Sequence, residues 1–229
     1  WHAKALQGQE PGAWLDMKKR LAGKLVHKKV QKALGFDQAR ILLSGAAPIA
    51  VENLQFFTSL DLLIGEVYGQ SEDSGPTAIS LPGFIRIGAA GKPLPGVQVR
   101  IAEDGEILVK GPNVFVGYRS RPEATAETLQ DGWLHSGDLG RIDEDGFIYV
   151  TGRKKDLLIT SGGKNISPGN IEADLMNLHL VEHAVVVGDS RHYLSALLTL
   201  KTDVLQSFAQ QHNLPGTLAQ WRTSPQVLA

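Results

Sequence analysis

HSGDLGRIDEDGFIYVTGRKKD, residues 135–156, places a carboxylate, Asp138, in a glycine-flanked turn and a guanidinium, Arg153, fifteen positions later. A carboxylate can accept both hydroxyls of a ribose, and a guanidinium can donate a planar fork to the same sugar or to its phosphate. The apolar run from Phe147 to Val150 lies between them and is typical of a strand that would hold both groups on rigid backbone. The stretch therefore predicts a nucleotide site at the edge of a sheet.

The composition limits the classes of function. With 42% hydrophobic and 21% charged residues, the 229-residue chain is ordinary for a globular protein that buries a core. A formal net charge of -1 gives no general attraction to nucleic acid, so we expect no nucleic-acid partner. The chain has no cysteine, which excludes a cysteine nucleophile, a thiolate metal site and a disulfide framework. This is compatible with the cytoplasmic location that we expect.

The ends of the chain suggest a piece of a longer polypeptide. The sequence opens on Trp1 rather than on Met, and it ends at Ala229 just after a stretch with a helical pattern. We therefore expect further sequence in the complete protein.

The first half of the chain has a βα pattern. Apolar residues recur at spacings near three and four over residues 14–35, which predicts a helix that ends near Gly35. Further along, a strand is predicted at 40–44, a helix at 51–60 and a strand at 62–67. Short β runs follow, and the Asp104-Gly105 step predicts a hairpin between strands at 97–102 and 106–110. This part reads as a small barrel or meander.

A new α+β unit follows Asp156. Ser167 and Pro168 are typical of a helix start, and that helix is predicted to run to about Asn177. The predicted fold class is α/β with α+β, divided into domains at 1–154 and 155–229. The remaining elements of the second unit are strands at 157–160, 184–188 and 194–201 and a helix at 204–211.

A second candidate site is the run Tyr68-Gly69-Gln70-Ser71-Glu72, which follows an apolar strand. Tyr68 offers a flat face for a purine, and Gly69 lets backbone approach a ligand closely. Ser71 can bond a phosphate oxygen, and Glu72 can hold a hard divalent cation such as Mg²⁺. By itself the pentad is more typical of a plain strand-to-loop transition.

These stretches resemble motifs of the AMP-forming acyl-CoA synthetases, within the adenylate-forming superfamily, and most of all the long-chain and very-long-chain fatty acyl-CoA synthetases. Tyr68 to Glu72 is similar to the family's Tyr-Gly-x-Ser/Thr-Glu motif, and residues 135–156 resemble its core motif. Gly45, Ala46, Ala47 and Pro48 resemble a loop that lies against the adenine and the acyl pocket. Ala46 stands where the family has a second glycine, and its methyl group would either narrow the pocket or tighten the turn.

The resemblance also implies roles in the second domain. Lys155 is similar to the pivot residue about which the small C-terminal domain rotates between the two half-reactions. Gly162, Gly163 and Lys164 resemble the loop that lines the pantetheine tunnel. Lys164 would approach the phosphates of CoA or remain a solvated lysine. The resemblance thus implies catalytic roles for Glu72 and Lys155, ATP or AMP, Mg²⁺ and CoA as cofactors, and a fatty acid as substrate.

Two other patterns have competing interpretations. His179-Leu180-Val181-Glu182-His183 matches the spacing of a His-x-x-Glu-His zinc motif, which requires one continuous helix. We reject it because these residues are predicted to straddle a helix end and a strand start. The segment from Lys18 to Lys32 carries seven Lys or Arg and no acid. It would be a peripheral contact to an anionic membrane or, as the near-zero net charge favours, a solvated face.

Two parts of the family pattern have no match. No Ser/Thr/Gly-rich phosphate loop occurs before Gly45, and no lysine follows Lys201. We therefore expect a fragment of a long-chain fatty acid–CoA ligase that does not form acyl-adenylate by itself. The alternatives are a parent that loads the acyl group onto a carrier protein and a non-catalytic nucleotide-binding module.

Overall fold

The computed structural model describes residues 1–6, 8–47 and 49–228 and separates into two compact units. Unit 1 is Trp1–Lys154 and unit 2 is Lys155–Ala229. Short strands and helices alternate in both units, so the predicted mixture of α and β structure is confirmed.

Unit 1 contains most of the β structure. Its helices are α1 His2–Ala5, α2 Ala13–Ala22, a π-helical turn Gly23–His27, α3 Lys28–Ala33, α4 Val51–Ser59, a 3-10 turn Ser71–Asp73 and α5 Pro122–Thr128. Its strands are β1 Leu42–Gly45, β2 Ile64–Gln70, β3 Gly75–Ile79, β4 Lys92–Pro93, β5 Gln98–Ile101, β6 Glu106–Lys110, β7 Leu129–Gln130, β8 Trp133–Ile142 and β9 Ile148–Arg153.

The first predicted helix is confirmed in position, but it is not a continuous α-helix. Helical backbone runs from Ala13 to Ala33, and a π-helical turn of five residues interrupts it. An extra residue in one turn rotates the following side chains, so the 3.6-residue pattern no longer keeps to one side. Leu21 and Leu25, two of the recurring apolar residues, are exposed.

A four-stranded sheet in the order β1-β2-β3-β4 holds the predicted pentad. β1 and β2 are parallel and α4 connects them, whereas β3 and β4 add antiparallel strands. The predicted end of the second strand was wrong, since β2 continues to Gln70. Backbone pairing of Gly69 with Pro76 and of Gln70 with Gly75 extends it beyond the apolar run.

A five-stranded antiparallel sheet carries the stretch from 135 to 156. β5 and β6 form the predicted hairpin across Asp104-Gly105, with Gln98 opposite Lys110. β8 is the central strand and pairs with β6, β7 and β9. The order differs from a simple meander, because β6 pairs with β8 and not with β7, the next strand in the chain.

The two sheets of unit 1 share a core. Backbone bonds join Ala90 and Gly91 to Ile148, at 2.8 and 2.9 Å, and so tie the loop before β4 to β9. The buried cluster behind this junction holds side chains from both sheets: Tyr68, Ala78, Ala90, Ile107, Val109, Leu134 and Ile148.

Unit 2 is an α+β unit with two small sheets. β12 and β13 form an antiparallel pair that packs on α6, and the Glu172 carboxylate of α6 accepts a bond from Val186 N at 2.8 Å. Its first element is a 3-10 turn, Lys154–Asp156, whose first residue still belongs to unit 1. The elements that follow are β10 Leu158–Ile159, β11 Asn165–Ile166, α6 Pro168–Met176, β12 Val181–Val187, β13 Ser195–Leu200, α7 Thr202–Gln211, α8 Leu218–Trp221 and α9 Pro225–Leu228.

Within the described ranges, the helices are all too short or too polar to cross a membrane. The cytoplasmic location and the membrane contact of the Lys18 to Lys32 segment stay predictions.

Gly140 tests the packing of β8. A methyl group there would lie 2.5 Å from the Tyr149 carbonyl oxygen and 2.6 Å from Ile107 Cδ1. We expect Gly140→Ala to lower the free energy of unfolding by about 2 kcal/mol or more, since overpacking a tight core typically costs ~1–3 kcal/mol.

The matched control is Gly23→Ala. Gly23 lies in helical backbone with no atom near the position of the added methyl group. The substitution should raise the free energy of unfolding, measured in urea, by up to about 1 kcal/mol, because alanine favours helix over glycine. Equal destabilisation by both substitutions would contradict this description of β8.

Candidate functional site

Asp138 lies near the middle of β8, so the prediction that it lies in a glycine-flanked turn was wrong. It is the best-connected of the predicted site residues. It is 5% exposed, and its Oδ2 accepts a hydrogen bond from the Tyr68 hydroxyl at 3.0 Å. Its Oδ1 accepts one from Arg153 Nε, also at 3.0 Å. The antiparallel register of β8 and β9 explains the second contact, because it places Asp138 directly opposite Arg153. The structure therefore brings together three residues that the sequence only suggested.

The Asp138 carboxylate retains capacity for a ligand. An ionised carboxylate has about four lone-pair sites, and these two bonds occupy two of them. The remaining sites match in number the two hydroxyls of a ribose. The Arg153 side chain is 66% exposed, whereas that of Asp138 is 7% exposed.

Tyr68 contributes its hydroxyl to this arrangement. Burial, with the Asp138 charge beside it, raises the pKa of the Tyr68 hydroxyl, so it remains a protonated donor. The ring lies in the core cluster of unit 1, and only 8% of the residue is exposed. The purine-stacking role of its face stays a prediction.

Gly69 is required by the sheet. A side chain there would meet the Gly75 carbonyl oxygen of β3 at 1.8 Å. The close approach that we expected toward a ligand is therefore first of all an approach between two strands. Next to it, the buried Asp73 carboxylate accepts bonds from Gln70 N, at 2.9 Å, and from the Thr77 hydroxyl, which fix the turn after β2.

Ser71 and Glu72 lie in that turn. Ser71 is exposed, whereas Glu72 is half-buried and its Oε1 accepts a hydrogen bond from the Tyr118 hydroxyl at 2.7 Å. This bond raises the pKa of Tyr118, so the tyrosine stays a donor. A backbone bond from Phe115 N to Glu72 O, at 2.7 Å, fixes the same segment.

The surroundings of Glu72 fit a magnesium ion that also binds a phosphate. Among the described residues, no cluster of three or more His, Cys, Asp or Glu side chains could hold a metal. Mg²⁺ is usually bound through one or two carboxylates together with phosphates and water. A single carboxylate with one oxygen held by Tyr118 suits that mode.

The loop at the end of β1 adjoins β2. Gly45 lies opposite Val67, and a side chain at Gly45 would meet the Val67 carbonyl oxygen at 3.0 Å. Ala46 has a φ of 68°, a left-handed conformation that costs a residue with a Cβ about 1–2 kcal/mol. Ala47 is exposed, and Pro48 lies outside the described residues.

Lys155, Gly162, Gly163 and Lys164 belong to unit 2. Lys155 lies in the 3-10 turn that starts the unit, and the other three connect β10 to β11. Gly163 has a φ of 77°, and its N–H donates to the Thr160 carbonyl at 2.8 Å. The connection is a tight turn whose shape requires the glycine.

The rejected zinc motif does not lie on one helix. α6 ends at Met176, His179 follows in a turn, and Glu182 and His183 lie on β12.

Sequence reasoning missed two residues of the site region, Tyr118 and Glu106. Tyr118 contacts Glu72 across 46 positions, and Glu106 accepts a bond from Gly137 N, beside Asp138, at 2.8 Å. Their local signals are weak, because Tyr118 lies in a loop between β6 and α5 and the partners of both residues are distant in sequence.

Comparison with known proteins gives one consistent result. A family model described as AMP-binding enzyme matches residues 11–119, and one described as AMP-binding enzyme C-terminal domain matches residues 155–217. The long-chain-fatty-acid–CoA ligase FadD15 of Mycobacterium bovis is 41% identical over 96% of this chain and 37% of its own length. The long-chain-fatty-acid–CoA ligase ACSBG2 of Xenopus laevis is 46% identical over 88% of this chain and 28% of its own.

Solved structures that resemble this chain include another coenzyme A synthetase. O-succinylbenzoate coenzyme A synthetase from Bacillus subtilis in complex with AMP has a TM-score of 0.64 at 33% identity, over 73% of this chain and 39% of that one. The same enzyme with ATP and a magnesium ion gives 0.64 at 33% identity, over 75% and 40%. The chain thus spans about a third of the length of the curated relatives named above.

A substitution at Ala46 would test whether the loop after β1 is strained. We expect Ala46→Gly to raise the free energy of unfolding by about 0.5–1 kcal/mol, because relief of the left-handed conformation outweighs the entropy that glycine adds to the unfolded chain. Urea unfolding of the chain measures this.

Ala47→Gly is the control, since the φ of Ala47 is not positive. It should lower the stability by a similar amount. If both substitutions destabilise the chain alike, Ala46 is not strained.

Proposed function

Because this chain belongs to the AMP-binding enzyme family, we propose that the protein that carries it is an AMP-forming long-chain fatty acid–CoA ligase. The observation that carries the proposal is the buried Asp138 carboxylate, held by Tyr68 and Arg153, with two lone-pair sites left for a ribose. The relatives named above as long-chain-fatty-acid–CoA ligases, at 41% and 46% identity, support the substrate class.

The proposed reaction has two steps. A carboxylate oxygen of the fatty acid attacks the α-phosphorus of ATP, and the bond to the bridging oxygen of pyrophosphate breaks, which leaves acyl-AMP. The sulfur of CoA then attacks the acyl carbon, AMP leaves, and the thiol proton passes to solvent. Activation as an adenylate replaces a poor leaving group with a good one before the thiol attacks.

Unit 1 supplies the nucleotide contacts in this proposal. Asp138 accepts the ribose hydroxyls, and Arg153 adds its remaining N–H donors to the sugar or phosphate. Gly45, Ala46, Ala47 and Pro48 border the adenine and the acyl group, and Tyr68 lies beneath the base. These roles are inferred from the family resemblance and from the contacts of Asp138.

Glu72 and Ser71 would bind the phosphates of ATP, Glu72 through Mg²⁺ and Ser71 directly. Glu72 would bind Mg²⁺ through the carboxylate that Tyr118 orients, and the metal ion would neutralise phosphate charge. Ser71, exposed beside it, would donate its hydroxyl to a phosphate oxygen.

Unit 2 serves the second step. Lys155, at the start of the unit, is the proposed pivot, because a hinge needs only a few residues at an element boundary that absorb a backbone change. The Gly162-Gly163-Lys164 turn would lie along the pantetheine arm of CoA. These assignments make unit 1 part of the large AMP-binding domain and unit 2 part of the small mobile one.

The test is fatty-acid- and CoA-dependent release of AMP by the complete protein over acids from short to very long chain, with the 229-residue chain in parallel. We expect turnover that peaks with long chains, and none from this chain alone. Adenylation needs positive charge aimed at the phosphates, and no lysine follows Lys201.

Two results would contradict the proposal. Release of pyrophosphate without any response to CoA would point to a carrier protein as the acceptor. Nucleotide binding without turnover by the complete protein would instead indicate a non-catalytic module.

Tyr118 tests the metal assignment. We expect Tyr118→Phe to raise the Mg²⁺ concentration for half-maximal adenylation by the complete protein at least about fivefold, since a hydrogen bond to a charged group contributes roughly 1.5–3 kcal/mol. Pyrophosphate exchange measured against Mg²⁺ gives this value.

Tyr149→Phe is the matched control, because its hydroxyl donates to Asp143. It should leave the Mg²⁺ requirement unchanged. The same Mg²⁺ requirement in both variants would show that Tyr118 does not orient a metal ligand.

A further inference from the structure

Glu106, the first residue of β6, is a buried acid that the proposed reaction does not use. Its Oε1 accepts a bond from Gly137 N at 2.8 Å, and its Oε2 lies 3.1 Å from Lys154 Nζ and 3.2 Å from His135 Nδ1. Burial by itself would raise the pKa of Glu106, but these donors outweigh burial and lower it. The side chain is therefore a charged carboxylate that connects three separate positions of the chain.

Those positions lie next to Asp138, the proposed ribose-binding residue, and Lys155, the proposed pivot. Gly137 precedes Asp138, and Lys154 is the last residue of unit 1, directly before Lys155. Arg153 and Lys154, the two cations that end β9 and begin the next turn, bind Asp138 and Glu106 respectively. The end of unit 1 is thus held twice to residues 135–138 of β8.

We propose that Glu106 is a positioning residue that clamps the part of β8 bearing Asp138 to the segment before Lys155, so that both move as one rigid piece. The ribose-binding role of Asp138 and the pivot role of Lys155 rest on the proposed function, whereas the clamp rests on the contacts of Glu106. Its consequence is that backbone rotation begins at Lys155 and does not loosen the carboxylate that holds the ribose.

Lys154 also contacts Asp104, and this second contact provides the control. Lys154 Nζ lies 2.6 Å from Asp104 Oδ2, but about half of each of these two side chains is exposed. Exposed ion pairs contribute little, whereas a buried carboxylate that loses a donor keeps its desolvation cost. The clamp therefore depends on Glu106 rather than on Asp104.

Amide hydrogen exchange of this chain, without nucleotide, tests the clamp at residues 135–140 and 151–157. We expect Lys154→Gln to speed exchange in both segments by about tenfold, since one charged donor to a buried acid is lost. Lys154→Arg should restore the slow exchange, and Asp104→Asn should leave it nearly unchanged. Glu106→Gln, which keeps an acceptor for Gly137 but loses the charge, should resemble Lys154→Gln.

Faster exchange in only one segment, or equal effects of Lys154→Gln and Asp104→Asn, would overturn the proposal. If Glu106→Gln fails to fold, the two Lys154 variants decide, because Lys154 is half-exposed and its replacement leaves the core intact. The measurement needs no turnover. An inactive complete protein would refute the proposed function and leave the exchange result standing.

Discussion

The requirement that a buried carboxylate be paired governs unit 1. Asp138 and Glu106 lie on neighbouring strands, β8 and β6, and each is nearly inaccessible to solvent. Removing one partner of a buried charge typically costs ~3–5 kcal/mol, so these acids constrain whatever surrounds them. Arg153 and Lys154 satisfy this requirement at consecutive positions, and β9 must therefore end against β8 where it does.

The same strand also holds Asp138 rigidly. β8 has partners on both sides, and its backbone bonds hold Asp138 irrespective of ligand. Arg153, by contrast, is anchored by its backbone and by one side-chain bond, while most of its side chain faces solvent. In the proposed function, the ribose would therefore meet a fixed acceptor, Asp138, beside a largely exposed donor, Arg153.

Tyrosine hydroxyls orient two carboxylates of unit 1 through contacts that span long stretches of sequence. Tyr68 reaches Asp138 across 70 positions, and Tyr118 reaches Glu72 across 46. In both cases a proton that is hard to remove keeps the tyrosine a donor. Each tyrosine thus fixes one oxygen of its carboxylate.

The sequence by itself determined the local features. These are the β hairpin at Asp104-Gly105, the change to a new α+β pattern near Lys155, and the motifs that carry the family resemblance. These depend on turn chemistry and on patterns within a few residues, which operate before the chain is packed. Only the tertiary structure decided that β2 extends through Gly69, that Leu21 and Leu25 are exposed, and that Glu106 joins Gly137 to Lys154. Each of these results depends on a neighbouring strand or an inserted π-helical turn, and pairing between distant segments leaves no periodic trace in the sequence.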